Sequence, residues 1–235
     1  MIMFMGDNYM EKCVLLFSGG VDSFIAYHVL KAEHQEIIPL YVNYNGRYTD
    51  KELSVVQKLI PSCQINWRTF NFSSFEYGKK AFIKNRNVYL ALVASNYSNN
   101  IAMAGLKDDN VGDKCPKAFE AMSMLLNTVN DDDVYTVFSP FFFKEKIDII
   151  EWYINNVGDI GLLTKTVSCY DEKYSYCGHC PACFRKFCAF NYCDVPVPMF
   201  RNQEMAKEYL EAVDRGEYTC RRAESIKLAC KRIGL

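Results

Sequence analysis

Histidine is scarce in this chain: only His28, His34 and His179 occur among 235 residues. That scarcity excludes a histidine-rich metal centre. Long apolar runs are also missing, since stretches such as Cys13–Phe17 fall far short of the ~20 residues a membrane span needs. Charge of one sign is lacking too. A formal net charge of −1 gives no electrostatic basis for binding duplex nucleic acid or an anionic membrane. From Met1 to Cys13 there is no basic region followed by an apolar run, so no signal peptide is expected and the expected location is cytoplasmic and reducing. With 50% hydrophobic, 14% aromatic and 23% charged residues, the chain is not of the disordered class. No internal repeat is visible.

Cysteine is abundant by contrast. Eleven are present, and six of them fall between Cys169 and Cys193. Disulfide scaffolds are usually small, secreted and cysteine-dense throughout, whereas a local cluster in a reducing location suggests a metal site.

Up to about residue 163 the sequence alternates short apolar runs with longer amphipathic ones, the pattern of a parallel α/β sheet. Strands are expected at Val14–Phe17, Glu36–Val42, Gln64–Phe70, Asn100–Gly105 and Val134–Phe138. Helices are expected over Ser23–Lys31, Lys51–Ile60, Asn87–Tyr97, Pro116–Asn127 and Lys144–Asn156, the last ended near Gly158. From Ser168 to Phe187 the Cys- and Gly-containing pattern is too irregular for a sheet. Gln203–Arg215, closed by Gly216, and Arg221–Arg232 then suggest two terminal helices. The segment from Arg201 carries eight basic and six acidic residues and is expected to be a solvated face.

The most informative segment is Leu15–Ser23 (LLFSGGVDS), a buried strand running into a helix. Gly19 and Gly20 clear side chains from a turn where a ligand must approach the backbone. The turn aims N–H groups and the positive end of a helix at one spot, which favours an anion. Ser18 and Ser23 add hydroxyl donors, and Asp22 makes sense through Mg²⁺ or as a cap. The Walker ending Gly-Lys-Ser/Thr and the dinucleotide fingerprint are both absent.

The second constellation is Cys169, followed by Cys177-Gly178-His179-Cys180-Pro181-Ala182-Cys183. Two overlapping C-x-x-C steps plus Cys169 supply four thiolates, a set that satisfies tetrahedral Zn²⁺ in a closed, structural site. An iron–sulfur cluster accepts the same donors and stays open on residue type alone. The other seven cysteines read as ordinary thiols.

The loop at Ser18–Ser23 resembles the hallmark of the N-type ATP pyrophosphatases. Together with Ser168-Cys169-Tyr170 and the C-terminal cysteines, it resembles the 7-cyano-7-deazaguanine synthase (QueC) family. Arg86-Asn87, Gly105, the segment from Asp113 to Phe119, and Lys144 resemble further elements of that family, over roughly residues 13 to 190.

The resemblance implies a Rossmann-like parallel sheet flanked by helices, with adenine held by backbone near Leu40 and Val42. It implies ATP, Mg²⁺ and a structural Zn²⁺ as cofactors. Asp22, Lys144 and Arg86 are the implied catalytic residues, and Ser18, Gly19, Gly20, Asp22 and Ser23 the phosphate contacts. Arg86, Asn87, Gly105, Lys107, Asp109 and Asp113 are the implied contacts to a deazapurine. The implied reaction adenylates 7-carboxy-7-deazaguanine, lets ammonia displace AMP, and carries the amide on to the nitrile. Stopping at the amide, transferring the acyl group to another amine in a protein or nucleic-acid modification pathway, and a non-catalytic nucleotide-binding module stay open beside it. A homodimer follows from the resemblance alone, a protein partner or protein substrate stays open, and no direct nucleic-acid or membrane contact is expected.

Three departures from the family stand out. Tyr44-Asn45-Gly46-Arg47-Tyr48 keeps only the Tyr and Arg spacing of the family's motif there, and the loop after Gly105 is shorter. The chain also continues well past Cys183. The expected division is an ATP pyrophosphatase domain over 1–165, a zinc-binding segment over 166–200 and a helical extension over 201–235.

Overall fold

Alternate residues of the first strand, β1 (Lys12–Leu16), enter different cores. Cys13 and Leu15, with Phe17 just beyond, pack on one side of the sheet, while Val14 packs on the other. Burial on both faces is what an interior strand of a parallel sheet requires, and it explains the unbroken apolar run. The computed structural model describes residues 12–33, 36–44, 48–67, 83–107, 109, 112–130 and 133–235.

In chain order β1 is followed by α1 (Val21–Glu33), β2 (Glu36–Val42), α2 (Thr49–Leu59), β3 (Gln64–Asn66), α3 (Arg86–Ala94) and β4 (Asn100–Ala102). A 3₁₀ turn (Gly112–Lys114), α4 (Pro116–Val129), β5 (Thr136–Phe138), α5 (Lys146–Asn156) and α6 (Ile160–Lys165) come next. The C-terminal part holds α7 (Pro181–Tyr192), α8 (Gln203–Asp214) and α9 (Cys220–Arg232). The strands pair in parallel in the order β3-β2-β1-β4-β5. Successive strands run outward in opposite directions from β1 and β4, so the topological switch lies between these two. That crevice, beyond the strands' carboxyl ends, is where open α/β sheets bind ligands.

Residues of α1, α2, α5, α6 and α7 cover one face of the sheet, and residues of α3 and α4 cover the other. A third core forms around Phe184, Phe187 and Phe200 together with Ala206, Val213, Ile226 and Ala229 of α8 and α9. The expected terminal helices are therefore present, and they share this core with the cysteine segment.

Several boundaries differ from the sequence expectations, each for a local reason. The third strand ends at Asn66, just before the exposed Trp67; residues 68–70 of its expected range lie outside the described residues. β4 stops at Ala102, and Gly105 N–H instead donates to Met103 O and Ser139 Oγ, both at 3.0 Å. β5 starts at Thr136, because the Asn127 amide takes both backbone groups of Tyr135, accepting its N–H at 2.6 Å and donating to its carbonyl at 3.1 Å. α5 starts at Lys146 rather than Lys144, since Glu145 and Asp148 form a reciprocal capping box.

Two helices were not expected. α6 is short and is capped by Asp159, whose Oδ1 accepts from Leu162 N–H at 2.9 Å. α7 occupies what reads as irregular sequence. Pro181 suits its first turn, the Cys180 sulfur caps it, and Phe184, Phe187 and Phe190 along it are fully buried. Each such burial contributes about 1.5–3 kcal/mol, enough to override the irregular local composition.

Candidate active site and metal centre

The loop between β1 and α1 turns sharply at Gly19, whose φ of 72° lies in the left-handed region. A Cβ there would stand 3.2 Å from Val55 Cγ1, so the turn is closed against α2 as well as strained for other residues. Ser23 is buried and committed to the loop itself. Its hydroxyl donates to Gly20 O at 3.1 Å and accepts from Ser18 N–H at 3.4 Å. Ser18 is exposed, with its hydroxyl 3.4 Å from that of Ser23. Leu40 and Val42 stand in the half of β2 nearest this loop, and the Leu40 carbonyl accepts from Phe17 N–H at 2.8 Å.

Asp22, in the first turn of α1, is gripped by Lys146. The ammonium donates to Oδ1 at 2.8 Å and to Oδ2 at 3.0 Å. Lys144 is engaged elsewhere through its backbone, where its carbonyl accepts from Lys107 N–H at 3.0 Å. The lysine brought to the loop is thus Lys146, which sequence reasoning missed. The signal was available in Glu145-Lys146-Ile147-Asp148, a capping box that fixes where the helix begins.

The loop after β4 lies across the switch point. A Cβ on Gly105 would come 3.0 Å from Lys114 O and 3.3 Å from Phe142, so only glycine lets these segments approach. Ser139 bridges the Gly105 backbone, donating to its carbonyl at 2.7 Å. Asp109 Oδ2 accepts from Leu106 N–H at 3.2 Å and from Lys114 Nζ at 3.3 Å. Burial works against its charged form, yet the ammonium groups of Lys114 and Lys146 outweigh it and hold the carboxyl below its ordinary range. Lys107 is largely exposed, with Nζ 4.0 Å from Glu145 Oε1.

Asn87 is buried at the start of α3 and donates to Asp113 O at 3.5 Å. Asp113 Oδ1 is buried with no hydrogen-bond partner among the described residues, and such an orphaned acceptor is open to a donor brought by a ligand. Arg86, the first residue of α3, acts on a different group. Burial pushes the Glu52 carboxyl up to about 7, against the Tyr41 hydroxyl donating to it at 3.0 Å and the charges of Arg86 and Lys51.

The four sulfurs of Cys169, Cys177, Cys180 and Cys183 lie within 4.8 Å of one another. The Cys169–Cys180 and Cys177–Cys183 pairs are each 3.9 Å apart. A tetrahedral ion with bonds of about 2.3 Å sets its sulfurs about 3.8 Å apart, so the cluster fits zinc with little rearrangement. Backbone N–H groups of Asp171 and Cys177 point at the Cys169 sulfur at 3.3 Å, and those of His179 and Cys183 point at Cys177 and Cys180 at 3.4 Å. These donors favour thiolates. Contacts with Cys169 and Cys183 hold the Cys180 thiol far below its ordinary range, while contacts with Cys169 and Cys180 push Cys183 up. Gly178 supplies the turn between ligands with a φ of 75°. All four donors are protein sulfurs, a set that fills a tetrahedral ion's coordination.

Among the described residues no helix is long and apolar enough to cross a membrane. The family model described as queuosine biosynthesis protein QueC matches residues 12–77 and 73–194. The 7-cyano-7-deazaguanine synthase of Pseudoalteromonas atlantica is 29% identical over 210 residues, covering 77% of this chain and 94% of that protein. The protein of the same name from Hahella chejuensis is 25% identical over 218 residues, covering 80% and 92%. The 7-cyano-7-deazaguanine synthase 1 of Desulfitobacterium hafniense is 28% identical over 209 residues, covering 77% and 91%.

Proposed function

The chain belongs to the QueC family, and from that premise we propose that it converts 7-carboxy-7-deazaguanine into 7-cyano-7-deazaguanine at the expense of ATP. The observation that carries this reading is the meeting of the Ser18–Ser23 loop, Lys146 and the loop after Gly105 around the switch between β1 and β4.

A carboxylate is a poor electrophile until one oxygen becomes a good leaving group. In the proposed reaction a carboxylate oxygen attacks the α-phosphorus of ATP and pyrophosphate departs. Ammonia then forms a C–N bond to the acyl carbon as the C–O bond to AMP breaks, and a proton is released with the amide. The amide oxygen attacks a second ATP in the same way; loss of AMP and protons from nitrogen leaves the nitrile. Each step gains mainly from alignment and from charge stabilisation on the phosphates.

The chain's own groups suit those roles. The N–H groups around Gly19 and Gly20 and the start of α1 would receive phosphate oxygens. Lys146 would exchange its bond to Asp22 for one to phosphate, leaving Asp22 to hold the Mg²⁺ that screens the triphosphate. Asp113 would accept from an N–H edge of the deazapurine, with Asn87 fixing its backbone. Arg86 remains a proposed contributor at the cleft, as do Lys107 and Asp109, the last through its link to Lys114, while the phosphate role expected of Lys144 is proposed for Lys146. Zinc on the four cysteines would hold residues 169–183 in place and take no part in the chemistry.

Incubation with ATP, 7-carboxy-7-deazaguanine and ammonium, followed by mass spectrometry, tests the proposal. Nitrile with two AMP per product is expected. Amide as the only product would limit the activity to the first half, and no acid-dependent AMP would overturn the reading.

A further inference from the structure

Lys186, on α7, is only 7% exposed, and no carboxylate among the described residues stands within ion-pair distance of it. Burying an ammonium without an acid costs several kcal/mol, so some feature must offset it. Its Nζ donates to the Thr166 carbonyl, to Thr166 Oγ1 at 3.1 Å and to the Thr164 carbonyl at 3.5 Å, and lies 4.8 Å from the centroid of the Phe190 ring. Carbonyl dipoles and a ring face solvate the cation partly. They do not explain why a cation is there.

Two neighbours do. Lys186 follows Cys183 by one helical turn, on the helix whose N-terminus carries Cys180 and Cys183. Four thiolates around Zn²⁺ leave two net negative charges, so the filled centre faces a buried counter-charge across one turn. In the other direction, Thr166 leads directly into Val167. The Val167 N–H donates to Gly19 O at 2.9 Å, and the Val167 carbonyl lies 3.4 Å from the position a Cβ on Gly20 would take. The segment that Lys186 holds therefore runs directly into the residue that braces the glycine turn.

We propose that Lys186 is a positioning residue that couples the four-cysteine metal centre to the nucleotide loop, through Thr166, Val167 and Gly19. The proposal rests on the reading of Ser18–Ser23 as a nucleotide site. A filled metal centre holds α7 and its ammonium in register; the ammonium holds 164–166; and Val167 holds the Gly19 carbonyl so that the loop's N–H groups face the phosphates. Lys51 secures the opposite side of the cysteine segment, donating to Cys169 O at 2.7 Å. Coupling of this kind is reciprocal, so nucleotide in the loop must in turn tighten the hold on zinc.

The test uses zinc-loaded full-length protein, a non-hydrolysable ATP analogue and a chromophoric chelator. In the wild type, saturating analogue should slow zinc transfer to the chelator about tenfold. Lys186→Met, loaded to the same zinc content, should bind the analogue about tenfold more weakly in calorimetry, and analogue should leave its zinc transfer unchanged. Lys186→Arg, which keeps the cation, should regain most of both effects. Should Lys186→Met fail to fold, Thr166→Val removes one acceptor alone and should reduce both effects about threefold. An analogue effect on zinc transfer as large in Lys186→Met (or in Thr166→Val, where that variant stands in) as in the wild type would overturn the coupling. A wild type that binds the analogue with no change in zinc transfer would overturn it equally. A wild type that does not bind the analogue would overturn the nucleotide reading itself, and the coupling with it.

Discussion

Replacing Lys146 by Met, with Lys144→Met as its control, separates two lysines that are close neighbours in sequence. Lys146 makes two charge-assisted bonds to Asp22, at 2.8 and 3.0 Å, with both side chains 21% exposed. If the same ammonium serves a phosphate in the transition state, its loss removes about 1.5–3 kcal/mol of stabilisation. At 1.36 kcal/mol per factor of ten, kcat/KM for ATP should fall roughly 10- to 150-fold. The Lys144 ammonium makes no hydrogen bond or ion pair among the described residues, so Lys144→Met should stay within about twofold of wild type. The assay is exchange of labelled pyrophosphate into ATP, dependent on the deazaguanine acid. Lys146→Met leaves Asp22 unpaired and largely shielded from water, which costs about 1–2 kcal/mol and lowers Tm by about 2–8 °C. Melting curves therefore show whether the variant is folded at the assay temperature. Unchanged exchange in a folded Lys146→Met protein, or an equal loss in Lys144→Met, would refute the assignment.

Cys180→Ser should bind less than one zinc per chain by elemental analysis and lower Tm by about 10 °C, because structural zinc contributes directly to folding; full zinc with an unshifted melt would contradict the tetrathiolate. Asp113→Ala removes the orphaned acceptor Oδ1, so KM for the acid should rise about tenfold while KM for ATP and Tm hold steady; equal changes in both KM values would point to a structural role instead. The Glu52 carboxyl, raised by burial from an ordinary 4.5 to about 7, binds more protons folded than unfolded between those values. Its contribution is therefore complete below pH 4.5 and is lost as pH rises through 7, by up to about 3 kcal/mol. Glu52→Gln should flatten that slope, and denaturant titrations at pH 5 and pH 8 that differ equally in both proteins would exclude it.

Legibility from sequence varies with how local the cause is. β2 occupies its expected range Glu36–Val42, because a run buried on both faces is decided by its own composition. The glycine turn and the cysteine spacing are equally visible, since both depend on residues a few positions apart. The start of α5 lies two residues beyond its expected position, and with that shift goes the lysine that meets Asp22. The rule that decides it, a reciprocal cap between Glu145 and Asp148, is local and present in the chain. α7 escapes the sequence pattern for another reason: Cys, Gly and Pro suggest irregular chain until the burial of Phe184, Phe187 and Phe190 is known.

By itself, the sequence determined a parallel α/β chain, an anion-binding loop at Ser18–Ser23 and four thiols spaced for one metal, because strand burial, turn chemistry and C-x-x-C reach are short-range properties. Only the tertiary structure decided which lysine faces Asp22, which carboxylate oxygen of the cleft lacks a partner, and that Lys186 joins the cysteine helix to the glycine turn. Those outcomes depend on contacts between residues as much as 124 positions apart. Such contacts are selected by packing of the whole core: a local pattern such as the Glu145–Asp148 cap sets where a helix begins, not which residue across the fold its side chains meet.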